Sequence, residues 1–170
     1  VRRTGLFLRF ALRSVVIALR EKADIVFATS TPLTASIPGI AARWLKGVPF
    51  VFEVRDLWPE LPREMGVIKN PIVLTLMGWL EWASYHSAVR CIGLSPGIVD
   101  GIARRSIPHE RIDMIPNGCD LELFGSAANR NGRALLPEGI GVGEFVAMFT
   151  GAHGIANGLD AVLDAAAEIK

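Results

Sequence analysis

The 170-residue sequence predicts an α/β fold in which helices flank a parallel β-sheet. Short apolar segments alternate with longer helical segments, and the loops between them are short, which is typical of parallel strands joined by crossover helices. The chain is 51% hydrophobic and 21% charged, so it can form a packed core. Its formal net charge of +1 argues against a nucleic-acid-binding protein that depends on bulk positive charge.

The alternation covers most of the first 118 residues. Helical patterns lie at 5–21, 34–46, 70–86 and 96–106, and strand patterns at 24–29, 49–54, 89–94 and 111–115. Pro96 falls at the first position of its helix, where proline is tolerated. In the helix at 70–86, we expect Trp79 and Trp82 to lie in the core. The order of elements predicts a Rossmann-like sheet.

The pattern changes after residue 118. Residues 119–143 are rich in Gly, Asn and Ala and predict a hinge or linker. A strand pattern at 144–151, a glycine-rich turn and a final helix follow. We therefore predict a partial N-terminal domain at 1–118, a linker at 119–143 and the start of a C-terminal domain at 144–170. Because the sequence begins at Val1 and stops within a helical pattern, we expect a piece of a longer protein.

Several functional classes are disfavoured by the residues present. The two cysteines, Cys91 and Cys119, are expected to be reduced thiols, as in a cytosolic protein. No Cys/His cluster has metal-ligand spacing, so we expect no metal site. We also expect no bound cofactor. No G-x-G-x-x-G motif follows a strand, which argues against a dinucleotide-dependent dehydrogenase.

The first helix carries a line of basic residues. Arg9, Arg13 and Arg20 recur at i, i+4 and i+11 and therefore share one narrow stripe of the helix. Such a stripe on an apolar helix is typical of contact with an anionic membrane surface. The alternative is an ordinary helix that packs on the sheet and points its arginines into water.

The segment FVFEVRDLWPELP ends an apolar strand with a charged pair, a tryptophan and two prolines. Ligands of open α/β sheets bind at the carboxyl ends of the strands, where Arg55 and Asp56 are predicted to lie. Trp58 and the prolines would hold this loop in one position, and Trp58 is also a candidate for substrate binding. The alternative is an exposed ion pair between Arg55 and Asp56 that contributes about 1 kcal/mol or less.

Other polar residues also follow predicted strands. Ser30 and Thr31 could hold sugar or phosphate oxygens, or could cap the helix at 34–46. Ser95 has the same two interpretations, since Ser-Pro is a common helix start. The remaining candidates for substrate binding are Asn117 after the fourth strand and the turn formed by Gly151, His153 and Gly154, whose backbone could approach a diphosphate.

Four segments together resemble the family 4 glycosyltransferases, which have the two-domain GT-B architecture. These segments are DIVFATSTPLT, FVFEVRDLWPE, CIGLSPGIVDGI with ERIDMIPNGCDLELF, and FTGAHGIANGLDAVLDAA. The nearest likeness is to the bacterial subgroup that adds amino or deoxy sugars in surface-polysaccharide synthesis. The resemblance implies a hexosyl- or N-acetylhexosaminyltransferase that acts with retention and without an essential metal. It also implies a nucleotide diphosphate sugar donor (a UDP sugar), a lipid-linked or saccharide acceptor, and a cytoplasmic location that includes the inner face of the plasma membrane.

The sequence departs from the family pattern at three positions. Arg55 stands where many relatives have a histidine, and an arginine stays protonated and cannot act as a base. Asp56 is then the better candidate to contact the acceptor hydroxyl, while Arg55 could contact a phosphate or a sugar hydroxyl. Ala152 and Asn157 replace the arginine and lysine that relatives often carry around the glycine turn.

Two other functions are compatible with the same segments. One is a GT-B-fold nucleotide-sugar 2-epimerase, and the other is a binding or scaffold remnant without catalytic activity. Because the resemblance places much of the donor site outside these residues, we expect the 170-residue chain alone to transfer no sugar.

Overall fold

The computed structural model describes residues 2–124, 145–154 and 157–169. The chain divides into two compact units, Val1–Asn117 and Gly118–Lys170.

The first unit is built on a four-stranded parallel sheet. Its strands are β1 (Val26–Thr29), β2 (Phe50–Val54), β3 (Arg90–Gly93) and β4 (Ile112–Met114), and they lie side by side in chain order. Thr29 lies opposite Glu53, Val54 opposite Gly93, and Gly93 opposite Met114. The carboxyl ends of the strands therefore meet at one edge of the sheet, and the predicted α/β fold is confirmed.

Five helices accompany this sheet: α1 (Arg2–Arg20), α2 (Ser36–Lys46), α3 (Glu60–Glu64), α4 (Pro71–Ser87) and α5 (Pro96–Ala103). Single 3₁₀ turns lie at Leu33–Ala35 and His109–Arg111. Helices α4 and α5 begin alike, with a polar N-cap, Asn70 or Ser95, followed by a proline at the start of the helix. The predicted position of Pro96 is thus confirmed, whereas α3 was not predicted.

The core lies between the sheet and its helices. Phe50, Phe52 and Val54 are fully buried on one face of β2, because alternate residues of a strand point the same way. They pack with Tyr85 of α4 and Ile102 of α5, which places both helices over that face. The aromatic rings of Phe52 and Tyr85 are 6.0 Å apart, in a tilted arrangement that favours contact.

The opposite face of the sheet is less covered. Val51 and Glu53 on β2 are half-buried, and Phe27, which lies beside Val51 in the register, is 58% exposed. In the part of the chain that the structure describes, the core is therefore one-sided.

The expectation for the tryptophans of α4 is wrong. Trp79 is 67% exposed and Trp82 is 48% exposed, with its ring stacked on His86. The inward face of α4 is instead occupied by Glu81, Ser84 and Tyr85, all of which are buried. Periodicity could not reveal this arrangement, because α4 is apolar on most of its surface.

A buried charged cluster joins α4 to the segment that follows α5. Glu81 is 2% exposed, its Oε2 lies 2.7 Å from Nη2 of Arg105, and the Tyr85 hydroxyl donates to its Oε1 at 3.0 Å. Burial raises the pKa of Glu81, and the positive charge of Arg105 opposes that rise. Arg105 therefore offsets only part of the cost of burying this carboxylate, since the pKa of Glu81 stays raised.

The second unit contains α6 (Leu121–Phe124) and α7 (Leu159–Glu168). The strand predicted at 144–151 is not formed, because described residues 145–150 have no regular secondary structure. A strand needs a neighbour for its backbone N–H and C=O groups, and the described residues of this unit contain no second strand. Helix α6 lies within the predicted linker, most of which (125–143) is outside the described residues.

Among the helices that the structure describes, none is both long enough and apolar enough to cross a lipid bilayer.

Candidate functional site

Ser30 joins the loops that follow β1 and β2. Its side chain is buried, with the residue 1% exposed, and its Oγ accepts hydrogen bonds from the backbone N–H of Arg55 at 2.9 Å and of Asp56 at 3.3 Å. Its own N–H donates to the carbonyl oxygen of Glu53 at 2.9 Å. The hydroxyl therefore fixes the backbone of both candidate catalytic residues.

Asp56 is oriented by a second contact from the same loop. The Thr31 hydroxyl donates to Oδ2 of Asp56 at 3.2 Å, and within the described residues Oδ1 has no hydrogen-bond partner. The carboxylate is half-buried. It is therefore held by one oxygen and can accept a hydrogen bond from a ligand with the other.

Arg55 does not pair with Asp56. Its Nη1 lies 3.8 Å from Oε2 of Glu53, and its side chain is 44% exposed. Residues two apart on an extended chain point to the same side, whereas Arg55 and Asp56 are adjacent. The alternative of an Arg55–Asp56 ion pair is wrong, and the exposed guanidinium remains accessible to a ligand.

The helix-capping alternative for Ser30 and Thr31 is also wrong. The 3₁₀ turn at Leu33–Ala35 is preceded by Pro32, and α2 is preceded by Ala35. At neither start does a capping side chain form a hydrogen bond. Both hydroxyls instead contact the loop after β2. Their predicted role in holding a substrate stays a prediction.

A cleft of about 270 Å³ lies beside these residues. It is lined by two kinds of side chain: charged ones (Arg55, Asp56, Glu60 and Glu64) and aliphatic ones (Leu57, Leu61 and Ile98). Carboxylates accept hydrogen bonds from hydroxyl groups, and aliphatic side chains can pack against the C–H faces of a ligand. The cleft is chemically suited to a hydroxyl-rich ligand, and its excess of negative charge disfavours a phosphate there.

Glu60 and Glu64 were missed in the sequence. They stand at i and i+4, which places them on the same side of α3. That spacing was visible, but α3 has five residues and one internal proline, Pro62, so no helical periodicity marked it.

Trp58 and its neighbours seat the loop on the helices. Trp58 packs against the core, and its Nε1 is buried without a hydrogen-bond partner among the described residues. Leu57 lies so close to Gly101 of α5 that a Cβ at that position would be 2.5 Å from a Leu57 methyl group. The loop is therefore held by packing, and a contact between Trp58 and a substrate stays a prediction.

Two further candidates lie after the remaining strands. Ser95 caps α5, since its Oγ accepts from the N–H of Ile98 at 3.4 Å. This is the structural alternative proposed for it. Asn117 is exposed after β4. For neither residue does the structure test a contact with substrate.

In the second unit, the predicted glycine turn lies next to the start of α7. A cavity of about 580 Å³ is lined by polar and apolar side chains that include His153, Asp160 and Phe149, together with Gly154 and Gly158. The turn is closed by Asn157, whose side-chain amide donates to the carbonyl of Ala152. Gly151 is not among the lining residues, and a Cβ there would lie 3.2 Å from the ring of Phe149.

In residues 2–124, 145–154 and 157–169, no group of three or more His, Cys, Asp or Glu side chains could hold a metal ion.

The fold is an α/β domain with a cleft at the carboxyl end of β2, and open sheets of this kind bind their ligands at the carboxyl ends of their strands. The chain belongs to the family described as the glycosyl transferase 4-like domain, and the family model matches residues 2–118. The match covers the whole described first unit and supports a glycosyltransferase-type function, that is, a transferase with sugar donor and acceptor substrates. A search of curated proteins finds no match.

Proposed function

We propose that these residues form part of a retaining glycosyltransferase. This enzyme moves a hexosyl or N-acetylhexosaminyl group from a UDP sugar to a lipid-linked or saccharide acceptor in surface-polysaccharide synthesis. The observation that carries the proposal is the carboxylate of Asp56, oriented by Thr31 beside a cleft at the end of β2. Retention, the UDP sugar and the pathway are what the sequence resemblance implies, and they belong to the proposal.

The first unit binds the acceptor in this account. An acceptor hydroxyl donates a hydrogen bond to Oδ1 of Asp56, and neighbouring hydroxyls contact Glu60 and Glu64 in the same cleft. In the reaction, the acceptor oxygen forms a bond to the anomeric carbon, its proton passes to Oδ1 of Asp56, and the diphosphate leaves with the electron pair of the broken C–O bond. Asp56 holds the attacking oxygen on the face of the sugar from which the diphosphate leaves, as transfer with retention in one step requires, and such positioning lowers the barrier because less freedom is lost on the way to reaction.

Arg55 has a different role in the same cleft. Its guanidinium is exposed and paired with Glu53 at 3.8 Å, so it keeps donor groups for a ligand. We assign it to a hydroxyl group of the acceptor, because the three carboxylates that share the cleft disfavour a phosphate there. The second unit contributes to the donor site through His153 and Gly154, beside the N-terminus of α7, where backbone N–H groups favour an anion.

The test uses ¹H–¹⁵N NMR to measure the binding of sugars to the 170-residue chain. Free N-acetylglucosamine and free glucose are titrated separately, and the Arg55 and Asp56 amides are monitored. We expect one of these sugars to shift both amides, because the cleft lies beside them. Asp56→Asn should weaken that binding, since an amide NH₂ in place of a carboxylate oxygen loses the charge-assisted hydrogen bond.

The matched control is Asp113→Asn, a change of the same kind at a carboxylate on β4 that pairs with Arg90 at 3.6 Å. It should leave sugar binding unchanged. If neither sugar shifts the two amides, or if Asp56→Asn and Asp113→Asn behave alike, the assignment of this cleft to the acceptor is wrong.

A further inference from the structure

Helix α1 combines a basic stripe with an unusual amount of exposed apolar surface. Its sequence contains no acidic residue, and Arg9, Arg13 and Arg20 are all exposed. Exposed apolar side chains surround them (Leu6, Phe7, Leu8, Phe10, Leu12, Val16 and Ile17). An ordinary surface helix has polar residues on its solvent side, so this composition needs an explanation.

The stripe faces away from α2, the helix of the first unit on which α1 packs. Ala11 is fully buried on the side of α1 that packs against α2. Each residue turns the helix by about 100°, so the three arginines lie within about 40° of one another and roughly opposite Ala11. Lys46 at the end of α2 donates to the carbonyl oxygens of Ala18 and Glu21, which ties the end of α1 to α2. The arginines therefore point outward from a docked helix.

A second stripe runs parallel to the first. It consists of apolar residues that each lie three positions before one of the arginines: Leu6, Phe10 and Ile17. This offset places the apolar stripe about 60° around the helix from the arginine stripe. They are 59%, 57% and 59% exposed. One surface of α1 thus presents three cations beside three large apolar side chains.

We propose that this surface of α1 binds an anionic lipid bilayer, lying in the interface without crossing it. The apolar stripe enters the boundary between headgroups and acyl chains, and the arginines reach the lipid phosphates. Long arginine side chains suit this arrangement, because their stems pack on apolar groups while the guanidinium stays at the phosphate level. This goes beyond glycosyl transfer, since it assigns a location to the first unit.

The charge of the surface favours lipid over a second copy of the chain. A symmetric pair of α1 helices would bring the arginine stripes together with no acidic residue in either helix, and like charges across an interface oppose association. An anionic bilayer offers phosphates to all three arginines at once.

The test is co-sedimentation of the 170-residue chain with phosphatidylcholine vesicles, with and without phosphatidylglycerol. We expect binding to the anionic vesicles that falls as salt is added. Changing Arg9, Arg13 and Arg20 together to Ser should weaken partitioning roughly 100-fold. The matched control removes three exposed cations elsewhere, Arg63, Lys69 and Arg104, and should weaken partitioning much less.

Changing Leu6, Phe10 and Ile17 together to Ser tests the apolar stripe. These side chains are exposed, so the helical circular dichroism should be retained while vesicle binding falls. The proposal is overturned if the wild-type chain does not bind anionic vesicles, or if the two cation-removing variants are equally affected. It is also overturned if sedimentation equilibrium shows that α1 mediates self-association in place of lipid binding.

Discussion

Replacing Ser30 with alanine should destabilise the first unit and loosen the candidate site. The change removes the acceptor of two backbone N–H groups, those of Arg55 at 2.9 Å and Asp56 at 3.3 Å. Leaving a buried donor unpaired costs about 1 to 3 kcal/mol. Both hydrogen bonds are only part-buried and the second is long, so we expect Ser30→Ala to lower the free energy of unfolding by about 1 to 3 kcal/mol.

Urea unfolding followed by circular dichroism measures this loss. The matched control is Thr31→Val, which is nearly isosteric and removes a single exposed hydrogen bond to Asp56. It should cost about 1 kcal/mol or less. If Ser30→Ala costs less than about 1 kcal/mol, or no more than Thr31→Val, then Ser30 does not hold the loop in the way described.

Two further predictions concern buried titratable groups. Burial raises the pKa of Glu81 above its ordinary 4.5, so the folded state binds the proton of this carboxyl group more tightly than the unfolded state does. The stability that Glu81 contributes is therefore present below about pH 4.5 and is lost as pH rises towards the folded-state pKa. Urea unfolding should therefore show that Glu81→Gln becomes more stable relative to wild type as pH rises over that range. A difference in the free energy of unfolding that does not change with pH would contradict this. Burial also raises the pKa of the Cys91 thiol to about 12, whereas Cys119 is exposed. Iodoacetamide at pH 8 should modify Cys119 in the folded chain and reach Cys91 only after unfolding, and mass spectrometry showing early labelling of Cys91 would contradict the burial.

Much of the first unit could be predicted because its signals are local. The strand at Phe50–Val54 is an apolar run that ends at a polar pair, and the proline at 96 marks a helix start. The position of Asp56 at the carboxyl end of β2 follows directly from these boundaries. Each of these signals is contained within a few neighbouring residues.

The contacts within the site could not be predicted in the same way. The hydrogen bond from Thr31 to Asp56 joins residues 25 apart in sequence, and it depends on the register of β1 against β2. Pairing Arg55 with its neighbour Asp56 overlooked the strand geometry, in which Glu53 and Arg55 share a side.

The prediction of a strand at 144–151 was wrong for another reason. Its apolar pattern is suitable, but strand formation requires a hydrogen-bonding neighbour, and local sequence cannot supply one. Phe145 is consequently 95% exposed.

The central claim is that Asp56 orients the acceptor hydroxyl, and the turnover of Asp56→Asn tests it most directly. The measurement compares the rate of sugar transfer from a UDP sugar by the wild-type and Asp56→Asn forms of an active glycosyltransferase that contains these residues. The two forms should have the same melting temperature. The account predicts a rate lowered about 10²- to 10⁴-fold, as for loss of a positioned acid–base group, with the fold retained because the carboxylate is only half-buried. A folded Asp56→Asn enzyme with wild-type turnover would contradict it.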